Sequence, residues 1–348
     1  MSNLQISLAI AGGLVLAAIV AHGAWSARKN TPRKADPVAE PAVAGASTAA
    51  STGPQEPTLD AIDLLDPASL PSAERRAGLD ALIDVIALIN LDAPIYGEVA
   101  LNAMPATRRA GSKPFAIEGQ NADSQLWELP VAGQRYQAFQ AGVQMANRLG
   151  ALNEIEYSEF VVKAQAFADA INGAPEFPEM LDAVGRAREL DQFASTHDAH
   201  LSFRLRALST AWSPGYIQQS AARYGFVVGV IPGRLVLPSG TPGLPPLLNL
   251  VFDPQAALAQ DPDQSAVREV AMNLEVTHVG RSESPFVRLR ETAQALATAM
   301  DGVVTDDLGQ ALPRDALDQI GAELEQLYDA LETRDFSAGS PLARRLFS

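Results

Sequence analysis

The chain contains no cysteine, so it has no disulfide, no thiolate nucleophile and no Cys-based metal site. It also lacks the P-loop, GxGxxG, HExxH and GxSxG motifs, which bind nucleotides or carry hydrolytic chemistry. These absences predict that the protein is not an enzyme. The sequence likewise predicts no cofactor and no bound metal.

Charge is missing from the first 27 residues, which contain no Lys, Arg, Asp or Glu. Within them, residues 4–25 form an apolar run long enough to cross a bilayer, since about 20 helical residues span about 30 Å. Basic residues follow at once, and the positive-inside rule places that side in the cytoplasm. We therefore predict a transmembrane anchor in residues 1–27, with the N-terminus outside. The topology residues are Arg28, Lys29, Arg33 and Lys34.

Two features of this N-terminal region have alternative interpretations. A cleaved signal peptide is the main competitor to a retained anchor, but such a peptide carries its basic residues before the apolar core. The four basic residues are either a topology signal only or a contact for anionic lipid, worth about 1 kcal/mol per cation.

Large apolar residues are scarce from about residue 30 to 57, where Pro, Ala, Ser, Thr and Gly predominate. Such a segment buries too little apolar surface to offset its ordering entropy, so residues 28–78 are predicted to be a basic juxtamembrane segment and a disordered linker. The chain carries a net charge of -15, which argues against nucleic acid as a partner.

The body contains an internal repeat. Residues 164–173 (AQAFADAING) and 293–302 (AQALATAMDG) share six identities in ten positions at an offset of 129. A period of this length indicates two copies of a domain rather than a solenoid. The sequence predicts a first copy in residues 79–195, a second copy in residues 196–333 and a flexible tail in residues 334–348.

Each copy has the pattern strand, helix, several strands, then two helices. The predicted elements include a strand over residues 82–91, a helix over residues 96–109 and a strand over residues 226–231. In the second copy, apolar Leu201, Phe203 and Leu205 alternate with polar residues, as in a half-buried strand. Pro214 is suited to open a helix that continues to Ala222. The predicted fold class is α+β, with two tandem domains of the split β-α-β type in which helices cover one face of an antiparallel sheet.

Histidine and paired acidic residues give weak chemical signals. His197 and His200 have metal-ligand spacing, but the position favours solvated residues at a helix-to-strand junction. Asp306 and Asp307 precede Gly309, and this order favours a turn over a pair of catalytic carboxylates.

The uncovered sheet face of the second copy is the remaining candidate site. Its mixture of apolar and basic side chains suits an acidic, hydrophobic peptide, although a solvated face or burial against the first copy is an equal alternative. The candidate peptide-binding residues are Ser202, Arg204, Arg206, Val227, Gly229, Ile231, Asn249, Val251, Ala271 and Asn273.

The anchor and the second copy resemble the ZipA family of membrane-anchored bacterial division proteins. Residues 22–25 (HGAW), with Arg28 and Lys29, are similar to the family's junction between membrane span and basic segment. Residues 224–226 (YGF) and 300–307 (MDGVVTDD) are similar to its helix-to-strand Gly-Phe and to its Gly-Gly-Val-Val-Leu-Asp-Asp stretch. The resemblance covers residues 4–34 and 198–331.

The resemblance implies a single-pass protein of the bacterial inner membrane at the midcell division site. It implies that the cytoplasmic body binds the C-terminal tail of the tubulin-like protein FtsZ on the sheet face. The protein would thereby tether FtsZ filaments to the membrane and support septum assembly. The alternative function is a structural adaptor that binds another envelope partner or self-associates.

Overall fold

The computed structural model describes residues 32–35 and 78–348, and these residues fall into two compact units. Unit I comprises residues 78–200, 275–284 and 318–348, whereas unit II comprises residues 32–35, 201–274 and 285–317. Each unit contains one six-stranded sheet of antiparallel strands together with helices. The α+β class predicted from the sequence is confirmed.

Unit I is built on the sheet order β2-β3-β5-β1-β8, with β4 paired to β3 and a separate hairpin of β6 and β7. Its strands are β1 (Asp84–Tyr96), β2 (Arg109–Ala110), β3 (Lys113–Asn121), β4 (Trp127–Glu128), β5 (Arg135–Gln144), β6 (Ala146–Asn147), β7 (Gly150–Ala151) and β8 (Gly173–Glu176). Three helices lie between or after these strands: α1 (Gly97–Ala103), α2 (Glu154–Ala170) and α3 (Met180–His197).

Aromatic and small side chains fill the core of unit I. On β5, Phe139, Ala141 and Val143 are fully buried, and the Phe139 ring meets Phe167 of α2 edge to face at 5.3 Å. Helix α2 begins at a capping box, in which the Asn153 side chain accepts hydrogen bonds from backbone N–H groups of the first turn.

Unit II has the sheet order β10-β11-β12-β13-β9-β14. Its strands are β9 (His200–Ala207), β10 (Val227–Val228), β11 (Arg234–Leu237), β12 (Leu248–Val251), β13 (Glu269–Glu275) and β14 (Gly302–Thr305). Its helices are α4 (Pro214–Ala222), the short α5 (Pro254–Ala257) and α6 (Pro285–Ala299).

Buried side chains mark the helix-covered face of the unit II sheet. Phe203 of β9 meets Phe286 of α6 edge to face at 6.5 Å, and Leu250 of β12 pairs with Met272 of β13. Helix α4 starts at Pro214, as the sequence predicts, and the Ser213 side chain caps its first turn.

The two sheets share an arrangement around the first strand of each unit. In unit I, β1 lies between β5 and the short edge strand β8, and in unit II β9 lies between β13 and the short edge strand β14. A long helix precedes each edge strand, α2 and α6 respectively. Residues Gly173 and Gly302, which the internal repeat aligns, are the first residues of these edge strands.

Several predicted elements differ from the structure. The helix expected over residues 96–109 ends at Ala103, because Pro105 disfavours helical geometry in the residue before it. The strand expected to end at Leu91 continues to Tyr96 through an irregularity between Asn90 and Ile95. Strands β8 and β14 were not expected, since four residues at a turn give little periodicity.

The predicted flexible tail is wrong. Residues 318–348 belong to unit I, and they contain the C-terminal part of α7 (Arg314–Thr333) together with α8 (Pro341–Leu346). Leu331, Phe336, Leu346 and Phe347 are buried in the same core cluster as the β1 and β5 side chains. Apolar burial therefore orders residues 334–348 and extends unit I beyond the predicted boundary at residue 195.

The predicted anchor and most of the predicted linker lie outside the described residues. Within residues 32–35 and 78–348, no helix has the length and hydropathy needed to cross a bilayer.

Candidate peptide-binding face

Eight of the ten predicted site residues lie on strands of unit II, on the side of the sheet opposite its buried core. Ser202, Arg204 and Arg206 alternate along β9 with the buried residues Phe203 and Leu205. The other five occupy β10, β12 and β13: Val227, Asn249, Val251, Ala271 and Asn273. We call this side of the sheet the open face.

Strand register joins these residues into rows across the sheet. In one row, Val227 pairs with Val236, Val236 with Asn249, and Asn249 with Asn273. In the next row, Arg234 pairs with Val251, and Val251 with Ala271. The open face is therefore a continuous surface that is apolar in part, rather than a set of separate patches.

Gly229 and Ile231 do not belong to a strand, which corrects the predicted strand over residues 226–231. Strand β10 contains only Val227 and Val228, and both other residues lie in the turn that leads to β11. The turn closes when the Gly229 N–H donates to the Arg234 carbonyl at 2.9 Å, and Gly233 adopts a positive φ of 75°.

The β10 edge of the open face exposes an unbroken apolar segment. Val227, Val228 and Ile231 are 50%, 67% and 51% exposed, and Val230 is fully exposed. Monomeric proteins seldom leave clustered large aliphatic side chains in water, so this edge is suited to contact an apolar partner.

Arginine and carboxylate side chains form an ion cluster at the β9 end of the open face. Arg204 donates to Asp307 at 2.9 Å and to Glu269 at 3.0 Å, and Arg206 approaches Glu269 at 3.3 Å. The hydrogen bond to Asp307 is the main cause of a raised pKa for Arg204. The cluster holds two positive and two negative groups, so its formal charge is zero.

This cluster changes the expected role of Arg204. The sequence predicts an arginine whose charge is available to an acidic peptide, whereas the structure shows both of its carboxylate partners in place. A peptide carboxylate would have to compete with Asp307, whose side chain is 65% exposed and therefore easily displaced.

No protein-family model matches this chain, and no curated protein has a significant similarity to it. The geometry of the described residues is therefore the basis for any functional conclusion.

The site predicted from the sequence did not include four residues of the open face or its rim: Val236, Arg234, Glu269 and Asp307. Alternation could have placed Arg234 and Val236 opposite the buried Leu235, and Glu269 two positions before Ala271. Asp307 comes from a loop 103 residues after Arg204, and no local pattern gives that contact.

The histidines and the Asp306 carboxylate occupy the kinds of position that the sequence favoured, a helix-to-strand junction and a turn. His197 is the last residue of α3 and His200 the first of β9. The Asp306 carboxylate accepts hydrogen bonds from the N–H groups of Leu308 at 2.9 Å and Gln310 at 2.8 Å, which forms the predicted turn.

A cavity of about 260 Å³ lies on the other side of the unit II sheet. Phe203, Val304, Leu312 and Leu317 contribute its apolar lining, and Arg290 and Gln294 of α6 line it as well. None of the predicted peptide-binding residues lines this cavity.

Proposed function

We propose that this protein is a bitopic inner-membrane component of the bacterial division apparatus, and that unit II binds the C-terminal tail of FtsZ on its open face. The single observation that carries the proposal is the open face itself, an accessible sheet surface whose rows are apolar in part and lie beside exposed ions. A peptide with both apolar and acidic side chains is complementary to such a surface.

The proposal assigns different work to the two ends of the face. Peptide aliphatic groups would cover Val227, Val236 and Val251, and desolvation of these side chains would supply most of the affinity. At the other end, a peptide carboxylate would replace Asp307 as the ion-pair partner of Arg204. Because one ion pair replaces another, this contact favours specificity over affinity.

We also propose that the two units are tandem copies of one domain. The equivalent placement of β1 with β9 and of β8 with β14 supports it. So does the residue that precedes each edge strand: Asn172 and Asp301 have positive φ values of 54° and 56°. A left-handed residue at the same aligned position is uncommon outside glycine, so its recurrence favours duplication over chance.

The anchor and its orientation belong to the same proposal and rest on residues 4–25 with the basic residues that follow. Protease added to intact spheroplasts should leave the body undigested while degrading a periplasmic control protein. Digestion of the body in intact spheroplasts would reverse the proposed topology.

Calorimetry with the FtsZ C-terminal peptide tests the binding face. Val251→Glu replaces one of the three valine side chains proposed to contact the peptide with a charge and should weaken binding at least tenfold. Ile155→Glu is the control, because Ile155 is 81% exposed on α2 of unit I and carries no proposed contact. Equal affinities for Val251→Glu and wild type would remove the open face as the site.

The second candidate function is a membrane adaptor that self-associates or binds another envelope partner. The exposed apolar segment at the β10 edge favours it, because an edge strand with unpaired backbone groups can accept a strand from another chain. A fluorescent fusion separates the two functions. A midcell ring that requires FtsZ supports the tether, and uniform membrane fluorescence supports the adaptor.

A further inference from the structure

Residues 32–35 are bound to unit II, although they lie only seven residues after the apolar run. Arg33 forms a parallel β-bridge with Trp212, and Trp212 forms an antiparallel β-bridge with Val267. The Arg33 N–H donates to the Ala211 carbonyl at 2.6 Å, and the Ser213 N–H donates to the Arg33 carbonyl at 2.9 Å. Pro32 is buried in this contact region.

The groove that receives this segment is specific in its chemistry. Ala211, Trp212 and Ser213 are fully buried, and the segment satisfies the outward-facing carbonyl of the first and N–H of the last. Without residues 32–35, those two main-chain groups would lose these partners. The groove therefore suits an extended strand.

Arg33 adds side-chain contacts that select a basic residue at its position. Its guanidinium donates to the Tyr216 hydroxyl at 3.3 Å, lies 5.6 Å from the centre of the Tyr216 ring and is 4.0 Å from the Asp301 carboxylate. Lys34, the next residue, is exposed. Arg33, one of the four predicted topology residues, therefore contacts unit II.

Chain length gives this contact a consequence for the position of unit II. Seven extended residues reach at most about 25 Å, so the groove lies within that distance of residue 25. The 42 residues from 36 to 77, by contrast, connect the segment to unit I. Unit II, whose sheet begins only at residue 200, is therefore joined closely to the segment that follows the apolar run.

We propose that the groove on unit II, formed by residues 211–213 with Tyr216 and Asp301, is a binding site for the juxtamembrane segment of the same chain. This juxtamembrane latch holds unit II beside the bilayer, and residues 36–77 become a return connection to unit I rather than the tether of the whole body. The membrane placement rests on the proposed anchor; the latch itself does not.

An engineered disulfide tests the latch in the full-length chain, which has no cysteine of its own. A Cβ on Gly215 would lie 3.8 Å from the Cβ of Ala35, which matches the usual disulfide separation of about 3.8 Å. Ala35→Cys with Gly215→Cys should oxidise within one chain, giving a faster band on a non-reducing gel. The matched control is Lys34→Cys with Gly215→Cys, because neighbouring residues in an extended segment point to opposite sides.

Both other outcomes overturn the proposal. Absence of the cross-link in the folded protein would show that the groove does not hold this segment. Cross-links only between two chains would assign the groove to the segment of a second copy.

A second measurement covers failure of the double variant to fold. Arg33→Glu should raise the exchange rate of the Ser213 amide hydrogen about fivefold or more, since it removes contacts worth about one hydrogen bond. Lys34→Glu makes the same change of charge at the exposed neighbour and should leave that rate unchanged. Equal rates in the two variants would contradict the latch.

Membrane placement is measured separately, by energy transfer from a dye on Leu208→Cys to headgroup-labelled lipid in vesicles that contain the full-length protein. Leu208 is 66% exposed and follows β9 near Asp301. Transfer should fall when Arg33→Glu is added and stay unchanged with Lys34→Glu. If the chain does not insert into vesicles but the disulfide still forms, the anchor is wrong and the latch is right.

Discussion

The two sheets share the arrangement around their first strands, β1 and β9, but differ in what lies on the face opposite the helices. In unit I, one end of that face is closed: Leu79 packs over Gly142, and the N–H of Leu79 donates to Glu118 at 3.1 Å. Arg345 pairs there with Asp84, a carboxylate that is 1% exposed. In unit II, the corresponding face carries half-exposed ion pairs and an apolar edge.

The difference lies in how each face is covered. The face of unit I is closed by Leu79, which precedes β1, and by Arg345 near the end of α8. Polar groups on this face bind these segments and so stabilise the unit. Glutamine side chains on the same face donate to neighbouring side chains: Gln140 donates to Glu118 at 2.8 Å, and Gln137 donates to Gln120 at 3.0 Å. Among the described residues, the open face of unit II combines accessible valine side chains with half-exposed ion pairs.

The largest expected effect comes from removing the ion pair that closes unit I. Arg345→Ala leaves Asp84 buried without its cation and should lower the free energy of unfolding by about 3 kcal/mol. Replacing both partners, as Asp84→Leu with Arg345→Met, should restore much of that loss. Urea denaturation of the wild type and these two variants measures the differences.

The pH dependence of the same variant gives an independent check. Burial raises the pKa of Asp84, so the folded state holds its proton more tightly than the unfolded state does. The neutral carboxyl therefore favours folding below the ordinary pKa of about 4, and this advantage is lost as pH rises through the raised value. The penalty of Arg345→Ala should shrink on acidification. A penalty that grows at low pH would contradict this account.

An intermediate effect is expected at the first residue of each short edge strand. A Cβ on Gly302 would lie 2.9 Å from the Arg206 carbonyl, and a Cβ on Gly173 would lie 2.7 Å from the Ile89 side chain. Gly302→Ala and Gly173→Ala should each destabilise the protein by about 1–3 kcal/mol. Thermal unfolding of these variants measures the loss. Gly185→Ala is the control, because a Cβ on Gly185 meets no atom within 4 Å. A neutral effect at either edge glycine would break the proposed equivalence of the strands.

The smallest effect distinguishes the two left-handed residues. Asn172→Gly should stabilise unit I by a few tenths of a kcal/mol up to about 1 kcal/mol, because glycine adopts positive φ without strain. Asp301→Gly removes the hydrogen bond from Ser209 at 2.6 Å, so it should not stabilise unit II. Chemical denaturation compares both with wild type. Equal stabilisation would show that the Asp301 contacts contribute nothing.

Local patterns predicted much of the fold. Alternation placed Phe203 and Leu205 in the core and Arg204 on the other face, and the Pro214 signal gave the bounds of α4. The tail was missed because its burial depends on distant partners: Arg345 and Asp84 are 261 positions apart. A six-residue helix such as α8 carries too few residues for periodicity to reveal its contacts.

The candidate site was predictable as a face but not as an electrostatic environment. Periodicity of two assigns side chains to one side of a strand, and eight predicted residues lie on the open face for that reason. The state of Arg204 depends on Glu269 and Asp307, which reach it through strand order and a loop. Neither contact follows from sequence spacing.

Hydrogen exchange on the full-length protein, with and without a saturating concentration of the FtsZ C-terminal peptide, tests the central claim most directly. The account predicts slower amide exchange in strands β10 to β13 of unit II when the FtsZ peptide is bound. The exchange rates of β1, β3 and β5 of unit I should remain unchanged. Protection confined to the unit I sheet, or no protection in either unit, would contradict the assignment of peptide binding to the open face.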